Sequence, residues 1–473
     1  MILALAPDLI PDPSVLGGKA ASLVRMLQLG LAVPPAFVVP AQVCRDRAAG
    51  DGLPPGLGPA LRAAIGELER ATGRRFGGAP PLLVSVRSGA AVSMPGMMDT
   101  LLNIGLDSSA EAALAAETGD RHFASTLAEA LARQFADLIG PLPADPQEQL
   151  EAAVLAVLDS WHGRRARRYR EAHGIPHTLG TAVTVQAMVF GNRCARSGTG
   201  VLFTRNPVDG TPAPYGEWLS GAQGEAIVAG HCTPEPLATL ADTLPDVHAR
   251  LLAAGRLLET ELRDCQDIEF TVDGGTLFLL QSRTAKRAPA AAVRIAVDLA
   301  GEGLISRSEA IARVTVAQLE LLARPVLNVP TGLAPVGQGI AASPGAGVGQ
   351  GVTDGDSLIA LGRPAILLRP TTSPEDVPAM METAAVVTAE GGATSHAAVV
   401  GRALGKPVVT GCGSGILALA GRPLTVCGSS GRVFEGQFPL APPAPGPDLR
   451  TYRRWAEEAG DEARLQALKA CPW

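Results

Sequence analysis

The spacing of apolar and polar positions changes several times along this chain. In the first forty residues, "GGKAASLVRMLQLG" carries apolar side chains at helical spacing. This predicts a helix from Lys19 to Leu29 closed by Gly30 at C′. "VPPAFVV" then reads as the opening of a strand, and "PLLVSVRSGA" (81–90) as a buried strand ending in polar chemistry. "SMPGMMDT" (93–100) fits neither period and reads as a loop, its methionines either filling a core gap or forming a lid. Residues 111–173 are mostly helical by period. From 181 the chain turns to strands: "TAVTVQAMVFG", "GTGVLFTRNP", and a hairpin "IEFTVDGGTLFLLQSR" around Asp273-Gly274-Gly275. Residues 286–325 are Ala-rich and helical, with Ser306 as N-cap and Glu309 at N3 in a capping-box pattern. Near 335 a third texture begins, of glycine turns and short strands with one helix, 396–404, among them. A Pro-rich stretch, "FPLAPPAPGPD", should be semi-rigid, and 448–469 returns to helical spacing. These changes divide the chain into 1–180, 181–285, a helical linker 286–334, 335–437, and a linker with a terminal helix, 438–473.

Composition narrows the function more than the fold. A length of 473 residues allows about three domains at about 150 each. A net charge of −6 gives no basic footprint for nucleic acid, and no apolar run reaches the ~18 residues of a membrane span. The start, "MILALAPDLIPDPS", lacks a basic n-region, so no secretory signal is expected. The seven cysteines form no CxxC pair, which fits a reduced, cytoplasmic protein without a structural zinc site. Lysine is rare: only Lys19, Lys286, Lys406 and Lys469. Each therefore merits scrutiny, since Arg does not replace Lys at every phosphate or carboxylate.

Four stretches carry candidate chemistry. In "GGATSHAAVVGRALG", Ser395 or Thr394 is placed to cap a helix that opens with His396 and ends at Gly405. The unpaired N–H groups of a first turn and the helix dipole keep an imidazole there neutral and favour an incoming phosphate. Ala393, Ala397 and Ala398 would leave the approach open. A histidine merely exposed at a helix start fits the local pattern as well. "LGGKAA" (16–21) is not a Walker A loop, because Pro13 and Ala20 stand where that motif needs Gly and Ser or Thr. A Gly-Gly turn presenting Lys19 can still hold phosphate, or simply be a turn with a surface lysine. Arg87 ends an interior strand and needs a partner, either a triphosphate or an internal carboxylate. Asp267 and Glu269 share one face of a strand, and Gln281 and Arg283 share one face of its return. This suits a Mg²⁺–phosphate site, or a cross-strand salt bridge on a solvated face.

Together the stretches resemble the pyruvate, phosphate dikinase family. The matching segments are "LGGKAASL" (16–23), "PLLVSVRSGAAVSMPGMMDT" (81–100), "GTAVTVQAMVFGN" (180–192), "SGTGVLFTRNP" (197–207), "QDIEFTVDGGTLFLLQSR" (266–283) and "GGATSHAAVVGRALGKPVVTGC" (391–412). The resemblance implies an α/β and α+β multidomain chain: two ATP-grasp subdomains, 1–180 and 181–285, and a swivelling phosphohistidine domain at 335–437. It implies that ATP and inorganic phosphate phosphorylate His396, releasing AMP and pyrophosphate. Lys19 and Arg87 would contact ATP phosphates, with Arg283 beside them, and Gln186, Met188 and Val189 would face adenine. Glu269, Gln281 and Asp267 would serve Mg²⁺. Thr394 matches a threonine whose phosphorylation switches some dikinases off, by repelling the incoming phosphate.

The chain also departs from that pattern. In the family a (β/α)₈ barrel binding Mg²⁺, pyruvate and phosphoenolpyruvate follows the histidine domain, and this sequence ends at Trp473. Residues 140–160 look shortened, and Cys232 in "GHCTPEP" stands where Arg is expected. The first reading is therefore the ATP half of a dikinase, handing phosphate to a barrel protein or another acceptor in trans. A carrier or regulatory phosphohistidine protein, or an inactive nucleotide-binding remnant, are the alternatives.

Overall fold

A computed structural model of the chain describes residues 2–47, 52–92, 94, 97–223, 234–322, 326–327, 332–355, 357, 364–441 and 445–469. The expectation for Cys232 lies outside them. The chain divides into two compact units, Met1–Ser197 with Thr271–Ser282, and Gly198–Phe270 with Arg283–Trp473. The division passes through the predicted hairpin. Helices and sheets mix in both, so the chain is an α/β multidomain protein.

The first unit is built on an antiparallel sheet of β1 (Leu3–Ala4), β2 (Ala36–Val39), β3 (Val84–Gly89), β4 (Thr100–Ile104) and β5 (Ala182–Ala187), in the order β1-β2-β5-β3-β4. β5 is buried along its whole length because it pairs on both sides, with Phe37↔Val185 and Arg87↔Thr184. A helix, Pro13–Gln28, packs Leu16, Ala20, Ala21 and Val24 against Val38 and Ala182. It begins earlier than Lys19: Asp12 caps it by accepting from the Ser14 N–H at 2.8 Å, and Pro13 sits at the first position. The helix breaks at Gly17 (φ 73°, ψ 159°), so the reading of a helix from Lys19 corresponds to its second segment. The expected helical region resolves into Ser108–Thr118, Arg121–Leu138, Pro146–Ser160 and Arg164–His173. Aspartates 107, 120 and 145 cap the first three. Phe123, Leu127, Leu131 and Phe135, spaced by four, form the buried stripe of the second; each contributes about 1.5–3 kcal/mol by leaving water. Of the two consecutive methionines after Gly96, Met97 is buried, as a core filler would be, and Met98 is half-buried.

In the second unit β6 (Gly198–Phe203) and β7 (Tyr215–Ser220) pair antiparallel, with the short β8 (Glu235–Pro236) beyond β7. β9 (Gln266–Asp273) opens the hairpin and β10 (Thr276–Thr284) returns it, with Thr271–Ser282 belonging to the first unit. The helices Pro289–Gly301, Arg307–Arg313 and Val316–Leu322 follow, and the capping box of Ser306 and Glu309 is formed. The terminal helical region is two helices, Pro447–Glu458 and Glu462–Ala467, parted at Gly460 (φ 67°). Tyr452 and Trp455 share a core with Ile295, Leu299 and Ile311, and the Tyr452 hydroxyl donates to the Ile311 carbonyl at 3.0 Å. The strands β11 (Val326–Leu327) and β20 (Leu440–Ala441) pair antiparallel, so the segments before and after the last sheet meet.

That sheet contains β12 (Gly337–Gln338), β13 (Ile340–Ser343), β14 (Ala346–Val352), β15 (Ala365–Arg369), β16 (Ala385–Thr388), β17 (Val408–Thr410), β18 (Pro423–Cys427) and β19 (Arg432–Glu435). Its order is β12-β19-β18-β14-β15-β16-β17-β13. The central strands β14 to β17 run parallel; β15, β16 and β17 are nearly all apolar, as strands covered on both faces must be, while the glycine-rich β14 alternates buried and half-buried positions. Two parallel strands need a crossover, and the helix His396–Leu404 supplies it between β16 and β17. It is not the only helix there: Val377–Glu382 makes the crossover from β15 to β16, too short and Pro-interrupted for its period to show in the sequence.

Candidate functional site

In the first unit, the break at Gly17 lets the chain lie directly on the end of β3. A Cβ on Gly17 would stand 1.7 Å from the Gly89 carbonyl oxygen, and its φ/ψ is one that only glycine adopts without strain. The next N–H, of Gly18, donates to the Ala90 carbonyl at 3.0 Å. Lys19 therefore enters the first turn of the restarted helix beside the strand that carries Arg87. Arg87 is half-buried and lies opposite Thr184 on β5 and Thr100 on β4. The Ser282 N–H donates to the Ser22 hydroxyl at 2.9 Å, which ties the return strand next to Gln281 to the lysine helix. Gln186 is buried, and its amide donates to the Pro34 carbonyl at 3.2 Å. Met188 and Val189 are half-buried just past β5, where the Met188 sulfur accepts from the Asn103 N–H. This unit thus sets Lys19 beside the end of the strand that carries Arg87, and ties the strand of Gln281 to the same helix at Ser22.

Asp267, Glu269, Arg283, Thr394 and His396 belong to the second unit. Asp267 is 2% exposed; its Oδ2 accepts from Arg283 Nε at 2.8 Å, while its Oδ1 is buried without a hydrogen-bond partner. Burial pushes the Asp267 carboxyl up from the ordinary range, opposed by the Arg283 guanidinium and reinforced by Glu269. An added positive charge would relieve that penalty. Among the described residues no group of three or more His, Cys, Asp or Glu side chains is disposed to hold a metal ion. Mg²⁺ needs fewer protein ligands, one or two carboxylates together with phosphates.

His396 opens its helix at the carboxyl end of parallel strand β16. Threonines 371 and 372, after neighbouring strand β15, line the same small pocket as Ser395, His396 and Ala397. In parallel sheets, ligands gather at this end of the strands. Burial holds the imidazole below the usual histidine range, with Asp376, Glu375 and a backbone hydrogen bond at Ser373 pulling the other way. The ring is therefore neutral near pH 7, as expected, although burial is the leading cause. His396 Nε2 is buried and has no hydrogen-bond partner, which leaves Nδ1 to meet Ser373.

The capping expectation fails. Ser395 is the N-cap by position, but its hydroxyl caps nothing. Thr394 does not cap either. Its hydroxyl donates to Glu217 at 2.5 Å, and the N–H groups of Ala393 and Thr394 donate to the same carboxylate at 2.7 and 3.0 Å. The three alanines, Ala393, Ala397 and Ala398, are buried, and Ala397 lines the pocket at His396. Glu217, on β7 and 6% exposed, was not legible in "PYGEWLS", because its partners lie 176 residues away. A Cβ on Gly392 would come within 2.5 Å of that carboxylate, so glycine is required for the clasp to close. Arg402, also unanticipated, is buried on the histidine helix. Its Nη1 donates to the Ala342 and Ala393 carbonyls at 2.7 and 2.9 Å, and burial lowers it to about 10.

Residues 53–254 match the family model described as pyruvate phosphate dikinase, AMP/ATP-binding domain, and residues 361–431 match that of the PEP-utilising enzyme, mobile domain. Pyruvate, phosphate dikinase 2 of Zea mays is 41% identical over 516 residues, spanning 94% of this chain and 58% of that protein. The chain belongs to the pyruvate, phosphate dikinase family. The pyruvate, phosphate dikinase of Rhizobium meliloti is 38% identical over 94% of the chain, and the chloroplastic pyruvate, phosphate dikinase 1 of Arabidopsis thaliana is 39% identical over the same share. The chain spans little more than half of these relatives, 58% and 53% of the last two. Membership makes it a phosphotransferase-family protein with a nucleotide-binding and a mobile domain. Among the described residues, no helix is long and apolar enough to cross a membrane.

Proposed function

We propose that this chain carries out the ATP half of a dikinase reaction: ATP and inorganic phosphate phosphorylate His396, and AMP and pyrophosphate leave. The observation that carries this reading is His396 Nε2, a neutral and unpartnered nucleophile at a helix start, in a chain with a dikinase nucleotide-binding domain. Lys19 and Arg87 are assigned to the ATP phosphates, with Arg283. Gln186, Met188 and Val189 are assigned to the adenine side, where the buried Gln186 amide shapes the wall. Asp267, Glu269 and Gln281 would serve Mg²⁺, and the unpartnered Asp267 Oδ1 fits that role. A bound ion would neutralise phosphate charge.

The domain division at 286, 335 and 438 belongs to the same proposal, with 335–437 moving between a donor and an acceptor; the boundary expected at 181 does not hold, because β5 is the central strand of the first unit's sheet and that stretch runs on to Ser197. The acceptor, a pyruvate-class barrel or another phosphoryl acceptor, lies outside residues 1–473. Thr394 is a regulatory candidate whose modification requires the Glu217 clasp to open first, because its hydroxyl is engaged there.

The test is incubation of the chain with ATP, Mg²⁺ and phosphate, followed by measurement of AMP, pyrophosphate and acid-labile protein phosphate. Product that depends on His396 supports the reading. Its absence sinks it.

A further inference from the structure

Three buried polar atoms without a hydrogen-bond partner belong to residues that line one pocket: Thr372 Oγ1, Ser395 Oγ and His396 Nε2. Thr372 is 5% exposed and Ser395 3% exposed. Buried hydroxyls are almost always satisfied, so two unsatisfied ones beside one nucleophile call for an explanation. Fold position supplies the rest. Thr372 follows β15, Ser395 precedes the histidine helix, and both stand at the carboxyl ends of adjacent parallel strands. The helix has nine residues, and its first-turn N–H groups lack intrahelical partners. The neighbouring Thr388 hydroxyl, by contrast, is spent on the Glu390 carbonyl at 2.6 Å. The Glu390 side chain, also on the pocket, is exposed, so its charge is screened by solvent.

We propose that Thr372 and Ser395 are positioning residues that hold a phosphoryl group on His396 Nε2, their hydroxyls donating to its oxygens. This rests on the phosphohistidine reading above. In the loading step Nε2 gives its lone pair to phosphorus. The bond from phosphorus to the leaving group breaks, the leaving group takes that pair, and Nδ1 keeps its proton toward Ser373. In the idle state water reverses this: it attacks phosphorus, the N–P bond breaks, and the pair returns to Nε2. Hydroxyls that grip the oxygens and exclude water slow this loss, so the phosphorylated domain survives until its acceptor is met.

The test loads the full chain chemically with phosphoramidate, which needs no ATP, and follows ³¹P NMR. Wild type should give an Nε2-phosphohistidine resonance absent from His396→Asn, with a half-life about ten-fold longer than in Thr372→Val or Ser395→Ala. Thr372→Ser and Ser395→Thr should restore most of it. Where melting shows the apolar variants unfolded, Thr372→Cys and Ser395→Cys, weaker donors of similar size, take their place. Half-lives within about two-fold of wild type, or no His396-dependent resonance, overturn the proposal, leaving hydroxyls that only bind water. A parallel arm with ATP, Mg²⁺ and phosphate separates the two readings: loading by phosphoramidate alone means that the ATP reading fails and the pocket stands.

Discussion

The turn at Gly17–Lys19 and the turn at Gly391–His396 both use paired glycines to deliver a reactive side chain to a helix start, yet they are held in different ways. The first leans on nearby backbone: Gly17 lies on the Gly89 carbonyl, and Gly18 bonds the Ala90 carbonyl. The second is clasped by one side chain, Glu217, which takes two N–H groups and a hydroxyl through its two oxygens. A turn held by backbone resists every substitution except those of its glycines. A turn held by one carboxylate has a single point of failure, and it opens when that carboxylate lets go.

The comparison breaks most sharply at Gly17. Gly17→Ala places a Cβ inside the Gly89 carbonyl at a backbone angle reserved for glycine, and should cost about 3 kcal/mol or more in the denaturation midpoint. A near-neutral result would mean that the turn is not held as described. Glu217→Ala strands two buried N–H groups and should cost about 2–3 kcal/mol, seen as faster hydrogen exchange at Ala393 and Thr394. Glu217→Gln keeps the shape with a weaker, partly mismatched acceptor and should fall between Ala and wild type. If Gln matches Ala, the clasp depends on charge alone.

A smaller effect is expected from pH. Because burial lowers the His396 pKa in the folded state, the unfolded chain binds its proton first. The histidine's contribution to stability is therefore intact above the unfolded value near 6.5 and is lost as pH falls through the folded value. The acid limb of His396 phosphorylation should accordingly lie below 6.5, and a limb at or above 6.5 would contradict the buried, neutral ring. Thr394→Val, which removes one hydroxyl while leaving both N–H bonds to Glu217, should cost about 1 kcal/mol in the melt.

The two turns also differ in how much of them was legible. The Gly-Gly-Lys turn, the strand carrying Arg87 and the hairpin at Asp273 are local, and period, turn residues and caps reveal local structure. The histidine helix was legible for the same reason, from Ser395 to Gly405. Glu217, Arg402 and Thr372 were not, because folding alone brings each to its place: Glu217 meets partners 176 residues along the chain, Arg402 meets the Ala342 carbonyl 60 residues away, and Thr372 comes from another strand end to the pocket of His396. The capping roles expected of Ser395 and Thr394 failed for a related reason. A carboxylate from another strand engages the Thr394 hydroxyl, and the Ser395 hydroxyl makes no bond to the first turn. The helix Val377–Glu382 escaped notice because six residues are too few for a period to establish itself.

The central claim is that His396 accepts a phosphoryl group from ATP. The measurement that tests it most directly is mass balance: AMP, pyrophosphate and acid-labile protein phosphate from wild type and from His396→Ala, each with ATP, Mg²⁺ and inorganic phosphate. The account predicts one acid-labile phosphate per chain in wild type, matched by AMP and pyrophosphate, and none in the variant. Equal AMP from both proteins, or none from wild type, would contradict it.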